Sequence, residues 1–243
     1  MTYIFLVAGK GTRMSPLTQN FPKSLFKLDK DETVLERMVS LIRKYDNNAR
    51  IVLVAGFMHE MIKEVLPDVI NVINPFFSVT NSIASLWFAR QYLDDENTII
   101  INGDIVMSEN LVKDIVCTPS VGASVLIDSS IKNDGDYNIQ VIDNQVVVMS
   151  KGLSEYFGEY AGITKLDRSS AMLLQEEIEY MIKQGQYNLW YEEALVQLIF
   201  ERNFILQYND ICDYDWTEID SVNDLLHARK IHQTEQLIRN PNY

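Results

Sequence analysis

Three groups of residues in this sequence have the types and spacing to do chemistry. The first lies in residues 6–23, LVAGKGTRMSPLTQNFPK, where Gly9 and Gly11 follow an apolar run and are succeeded by Thr12, Arg13 and, ten residues on, Lys23. Glycine has no Cβ, so the backbone N–H groups of Gly9 and Gly11 can turn inward together and make a concave anion site. Thr12 adds a hydroxyl and Arg13 a forked cation. The second group is a pair of distant acids. Asp104 stands at the end of an apolar run, 98–103, unbroken until Asn102, and Asp220 stands where a strand must run into a helix within DICDYDWTEIDSVND, 210–224. A carboxylate at a strand end can bind Mg2+, a hard cation that takes carboxylates together with substrate phosphate oxygens. The third group is NLWYEE, 188–193, which sets Trp190 and Tyr191 beside Glu192 and Glu193 at a helix start. Aromatic faces and a carboxylate make a cage for a cationic head group, each contact contributing roughly 0.5 to 2 kcal/mol depending on desolvation. Each group also has a plainer use, as a surface turn, a cap, or acids that complement a helix dipole.

The elements that must position these groups follow from periodicity. Residues 4–7 form a short apolar strand that ends at the glycines. Residues 24–28 read as a short extended piece. Val34, Leu35, Met38, Leu41 and Ile42 predict a helix over 33–45; 50–55 is a second buried strand ending at Gly56; 58–66 is a helix stopped by Pro67; 69–73 is a third strand ending at Asn74. This alternation predicts a parallel, doubly wound sheet whose ligands sit at the carboxyl ends of the strands, where Gly9, Gly56 and Asn74 fall. Ile83, Leu86 and Trp87 space as a helix capped by Asn81 or Ser82, aiming its free N–H groups and the side chains of Asn81, Ser82 and Ser85 at the pocket. Residues 98–103 make the fourth strand, and a helix over 109–116 takes Ser108 as its cap, leaving Asp104 free. A strand at 123–127, a hairpin at 139–142 and 146–149 followed by Lys151, and a strand at 159–164 with room at Gly162 come next. An amphipathic helix at 169–183 and a C-terminal helix capped by Ser221 complete the chain.

Composition narrows the functional classes. The 243 residues, 47% of them apolar, suffice for one α/β domain with a full core, and no repeat or Pro/Gly/Ser linker divides them. The net charge of −13 argues against nucleic acid or an anionic membrane surface as partner. Yet residues 1–30 hold the cations Lys10, Arg13, Lys23, Lys27 and Lys30 against the lone acid Asp29, a local positive field for a polyanionic small molecule. The N-terminal apolar run is far too short for a signal segment or a spanning helix, so the expected location is the cytoplasm. Cys117 and Cys212 form no disulfide framework and no zinc pattern. His59, His227 and His232 fall in helices and read as surface or core residues.

The spacing in the glycine loop separates the known phosphate-binding motifs. A dinucleotide fingerprint needs a third glycine where Met14 stands, and a Walker loop needs four residues between its glycines where only Lys10 stands. The strand followed by A-G-x-G-T-R-M-x-P-L-T, Ala8 to Thr18, and by Pro22-Lys23 resembles instead the opening of the nucleotidyltransferases related to glucose-1-phosphate thymidylyltransferase. The resemblance runs from Ile4 to about Leu226. It implies a single-domain GT-A-like, Rossmann-like α/β fold: a mixed, mostly parallel sheet flanked by helices, with a nucleotide part near 1–128, an acceptor part near 129–220 and a C-terminal helix at 221–239.

The resemblance also implies roles. Ala8, Gly9, Gly11, Thr12, Arg13, Lys23 and Asn102 would hold the nucleotide, and Asp104 and Asp220 one Mg2+. Lys151, here in Ser150-Lys151-Gly152 where the sugar enzymes have Glu-Lys-Pro, would hold the acceptor phosphate. The segment N-S-x-x-S-L, Asn81 to Leu86, is most like the phosphocholine cytidylyltransferases, which implies base contacts from Ser82 and Ser85 and an acceptor site at Trp190, Tyr191 and Glu192. The implied reaction is attack by an acceptor phosphate or phosphonate oxygen on the α-phosphorus of a nucleoside triphosphate, with Arg13, Lys23 and Lys151 as catalytic groups. No general base is needed, because the nucleophile is already an anion. The leading expectation is a cytidylyltransferase for phosphocholine, phosphoethanolamine or 2-aminoethylphosphonate, feeding cell-surface decoration. A sugar-1-phosphate nucleotidyltransferase and a catalytically silent regulatory homologue are the alternatives. A homodimer is compatible with all of this.

Overall fold

The computed structural model describes residues 1–130 and 137–239. The chain opens with strand β1 (Thr2–Val7), helix α1 (Val34–Tyr45), β2 (Arg50–Ala55), α2 (His59–Val65) and β3 (Ile70–Ile73). It continues with α3 (Ser82–Phe88), β4 (Asn97–Asn102), β5 (Ile105–Met107), a helical turn α4 (Glu109–Leu111) and β6 (Ala123–Asp128). The hairpin β7 (Asn138–Ile142) and β8 (Gln145–Ser150) precedes β9 (Gly158–Asp167), α5 (Arg168–Lys183), α6 (Glu192–Arg202), β10 (Leu206–Asp210), β11 (Trp216–Glu218) and α7 (Val222–Arg239). No helix among the described residues is long and apolar enough to cross a membrane.

The main sheet has nine strands in the order β3-β2-β1-β4-β9-β6-β10-β8-β7. β1 pairs in parallel with β2 (Val7 opposite Ala55) and with β4 (Leu6 opposite Asn102), which brings the ends of all three strands to one edge. β9 runs antiparallel to β4 and to β6, and β8 antiparallel to β10; every other strand of the sheet points the same way, so the sheet is mixed and mostly parallel. β7 folds back onto the first residues of β9, Asn138 opposite Glu159, while β4 pairs with its last residues. The long strand therefore joins the β1–β4 side of the sheet at its C-terminal end to the β7–β8 hairpin at its N-terminal end.

Both faces of the central strands are covered, which explains why they read as unbroken apolar runs. Tyr3, Phe5, Leu53, Ile99 and Ile101 pack with Leu35, Met38 and Ile42 of α1 on one face; Ile4, Val52, Val54 and Ile100 pack with α3, α5 and α6 on the other. Helix α1 starts with a capping box, the Thr33 hydroxyl accepting from the Glu36 amide and the Glu36 carboxylate accepting from the Thr33 amide, a device that contributes about 1 kcal/mol. Helix α7 is held by polar contacts. Buried Arg37 donates to Glu235 at 2.6 Å and to the Met107 carbonyl at 2.7 Å, and His232 meets Asp29 at 2.7 Å. Because α7 begins two residues after Asp220, these contacts fix where that acid stands.

Three local expectations change. Ser108 does not cap its helix: its hydroxyl is buried without a partner among the described residues, and the Glu109 amide donates instead to Glu235 at 2.6 Å. That helix is a single α turn continued by a π-helical turn, Val112–Val116. The stretch after Lys23 begins as a 3-10 turn, Lys23–Leu25, rather than extended.

Candidate active site

At the carboxyl ends of β1 and β4 a cleft of about 320 Å3 opens, floored by β9. One wall is the loop Ala8, Gly9, Gly11, Thr12 and Arg13 together with Lys23. Gly11 sits in the left-handed region, φ 61° and ψ 43°, which a side-chain-bearing residue reaches only with strain, and its carbonyl accepts from the Thr18 hydroxyl at 2.7 Å. No described residue accepts a hydrogen bond from the amides of Gly9, Gly11 or Thr12, so they remain available to a ligand. Gly103 has a packing reason: a Cβ there would lie 2.3 Å from a Val7 methyl and 2.8 Å from the Leu6 carbonyl. Only glycine lets the end of β4 lie against β1 and carry Asn102 and Asp104 into the cleft.

The charges gather here. The Lys23 ammonium stands 2.6 Å from Asp104 and 2.7 Å from Asp220, and Arg13 lies 2.8 Å from the other oxygen of Asp220. Burial would lower the Lys23 pKa, but the charge and hydrogen bonds of Asp104 and Asp220 outweigh it and the pKa is raised, so the ammonium stays charged. Arg13 sits at the exposed rim, where its ion pair contributes little to stability. Glu218 joins the two aspartates: one carboxylate oxygen from each of the three lies within 4.8 Å of the others. These are hard oxygen donors already disposed around a cation, with the acids outnumbering Lys23 and Arg13, and that donor set fits a divalent ion.

The opposite wall is built from β7, β8, β9 and α6 with Tyr137, Lys151, Tyr160, Trp190 and Glu192. The Lys151 ammonium lies 3.6 Å from the Trp190 ring centroid, and Tyr137 meets the same ring edge-on, centroids 5.2 Å apart, while its hydroxyl donates to Glu193 at 2.7 Å. Glu192 is buried. Burial, chiefly, pushes its carboxyl up to about 8, with a smaller contribution from Glu193, against the opposing pulls of its own backbone amide, the Asn102 side chain and the charge of Lys151. Its Oε2 accepts no hydrogen bond from any described residue.

Of the residues singled out by sequence, Ala8, Gly9, Gly11, Thr12, Arg13, Lys23, Ser82, Ser85, Asn102, Asp104, Lys151, Trp190 and Glu192 all line this cleft. Asp220 opens on an adjoining hollow beside Arg13 and Glu218. Tyr191 does not offer its ring to the cleft: it is fully buried, its hydroxyl 2.5 Å from that of Tyr160 and 3.1 Å from that of Thr164. Helix periodicity explains the correction, since consecutive residues at a helix start point about a quarter turn apart. The free N–H groups expected at the start of α3 are taken as well. Asn81 caps it, the Ser82 amide donates to the Asn81 side chain, the Ile83 amide to the Leu189 carbonyl, and the Ala84 and Ser85 amides to the Asn81 carbonyl. The Ser82 and Ser85 hydroxyls accept from the Tyr191 amide and the Asn74 side chain. Sequence reasoning missed Glu218, Tyr137 and Tyr160. A signal for Glu218 existed: in E-I-D two acids flank a buried Ile219, and a strand's period of two puts both on one side.

Comparison with known proteins agrees with this geometry. Residues 2–133 match the model of the nucleotidyl transferase family. The chain is 26% identical to a 2-aminoethylphosphonate cytidylyltransferase of Lancefieldella rimae, covering 91% of this chain and 89% of that one. It is 25% identical to a choline-phosphate cytidylyltransferase of Streptococcus pneumoniae across the whole of both chains. Among solved structures, the CTP:phosphocholine cytidylyltransferase from Streptococcus pneumoniae has the same fold, with a TM-score of 0.76 at 19% identity over 95% of this chain and 98% of that one.

Proposed function

This chain belongs to the nucleotidyl transferase family, and from that premise we propose that it moves CMP from CTP to a small zwitterionic phosphate or phosphonate, such as phosphocholine, phosphoethanolamine or 2-aminoethylphosphonate, releasing pyrophosphate. One observation carries the acceptor class: the Lys151 ammonium, lying over the Trp190 ring, and the buried Glu192 carboxyl line the same cleft as the glycine loop, the first suited to an anionic phosphorus group and the second to an amine, whose positive charge would draw the carboxyl into its ionised form. A sugar phosphate would want amides and hydroxyls in place of that acid.

In the reaction a phosphate or phosphonate oxygen of the acceptor forms a bond to the α-phosphorus of CTP, and the bond from that phosphorus to the bridging oxygen breaks, pyrophosphate leaving with the electron pair. The attacking oxygen already carries its charge, so no proton has to be removed. Arg13, Lys23 and the loop amides of Gly9 and Gly11 hold the triphosphate in line, Arg13 by a forked contact at the rim. Asp104, Glu218 and Asp220 would hold Mg2+, which supplies charge neutralisation at the phosphates. Lys151 positions the acceptor, and Ser82, Ser85 and Asn102 border the space for the base. What these side chains supply is alignment and charge compensation, worth several kcal/mol of barrier between them.

Pyrophosphate release, measured with CTP, UTP, dTTP and GTP each crossed against the three aminated acceptors and a set of sugar 1-phosphates, tests the reading. CTP with an aminated acceptor is the expected productive pair. Turnover confined to sugar 1-phosphates would overturn the acceptor class, and turnover with another nucleotide in preference to CTP would overturn the base.

A further inference from the structure

Glu192 makes a demand on its ligand that the aromatic groups around it do not. It is only 4% exposed, it lines the cleft, and its Oε2 has no donor among the described residues. A buried carboxyl short of donors keeps its proton, and a ligand that brings both a positive charge and an N–H donor lets it ionise and fills the unmet oxygen. Two of the rings nearby are already engaged. The Trp190 face carries the Lys151 ammonium, Tyr137 meets Trp190 edge-on, and Tyr191 is sealed beneath Tyr160. A trimethylammonium has no N–H to give and gains from open aromatic faces; a primary ammonium has three N–H donors and gains from oxygens.

Granting the proposed transfer to an aminated acceptor, on which this rests, we propose that Glu192 selects acceptors whose nitrogen still carries hydrogens, the primary ammonium phosphates and phosphonates, over quaternary ones. The acid takes an N–H of the head group on Oε2.

Steady-state pyrophosphate release with CTP and phosphoethanolamine bearing none, one, two or three N-methyl groups tests this, because the charge stays constant while the donors are removed one by one. KM should rise along the series by about tenfold or more in total, equivalent to about 1.4 kcal/mol, with kcat nearly unchanged. Glu192→Gln, which keeps the shape but cannot ionise toward the ammonium, should raise KM for the primary amine by a similar factor and flatten the series. A KM for phosphocholine equal to or below that for phosphoethanolamine overturns the proposal, and the wild-type series decides this even if the variant does not fold. If no member of the series is turned over, the transfer to an aminated acceptor has itself failed, a different and separable result.

Discussion

The two walls of the cleft solve opposite problems. On the proposed nucleotide wall Lys23, Arg13, Asp104 and Asp220 neutralise one another within 2.6 to 2.8 Å, so the charges proposed to meet a triphosphate are already held in place. On the acceptor wall Glu192 is buried with one oxygen unmet. The first wall is preorganised, and what it gains from ligand is the difference between one set of ion pairs and another. The second is incomplete, and its ligand supplies what the fold withholds. Selectivity belongs where the protein is least satisfied, because a wrong ligand there leaves a buried polar group unpaired.

The comparison can be broken most decisively at the metal-ligand candidates. Asp104→Asn or Asp220→Asn should reduce turnover to background while circular dichroism and melting show the fold intact; full Mg2+-dependent activity in either variant would remove these acids from the reaction. Lys23→Met should lower kcat/KM by about a hundredfold to a thousandfold. It should also destabilise the protein by about 2 kcal/mol, because the partly buried acids lose their shared ammonium; a variant that melts like wild type would show that the ion pairs do not hold the wall.

Smaller effects sharpen the acceptor side. The folded-state pKa of Glu192, about 8, lies above its unfolded value, so the native state holds an extra proton between the two and stability falls as pH rises across that interval. Glu192→Gln should abolish this fall, melting close to wild type near about pH 5 and above it near about pH 9. A wild-type melting curve as pH-sensitive as before in the variant would place the proton elsewhere. Tyr191→Phe removes one hydroxyl from the buried trio with Tyr160 and Thr164 and should cost about 1 kcal/mol of stability with little change in KM. A KM change as large as that of Glu192→Gln would put Tyr191 back in the acceptor site.

Legibility differed between the walls for a physical reason. The proposed nucleotide wall is local: Ala8 to Lys23 is one contiguous stretch, so its residue pattern could be matched to a family as a whole once spacing had excluded the dinucleotide and Walker motifs. The acceptor wall is assembled from β7, β8, β9 and α6, and each contributes one or two side chains whose direction depends on register and helix phase. Tyr191 and Glu192 are neighbours in sequence, yet one hydroxyl bonds behind Tyr160 while the other residue borders the cleft. β10 was illegible for a related reason: its sequence, LQYND, has a single buried apolar residue and takes its place from pairing with β6.

By itself, then, the sequence determined the glycine loop, the apolar strands with their carboxyl-end acids, and the sign of the charge around residues 1–30, because these depend on residue type and on neighbours a few positions away. Only the tertiary structure decided that Lys23 meets Asp220 across 197 positions, that Glu218 is the third acid of the cluster, and that Glu192 is buried short of a donor. Such facts depend on distances between elements, and those are set by how nine strands share their edges and by how α7 is clamped, neither of which any local run of residues encodes.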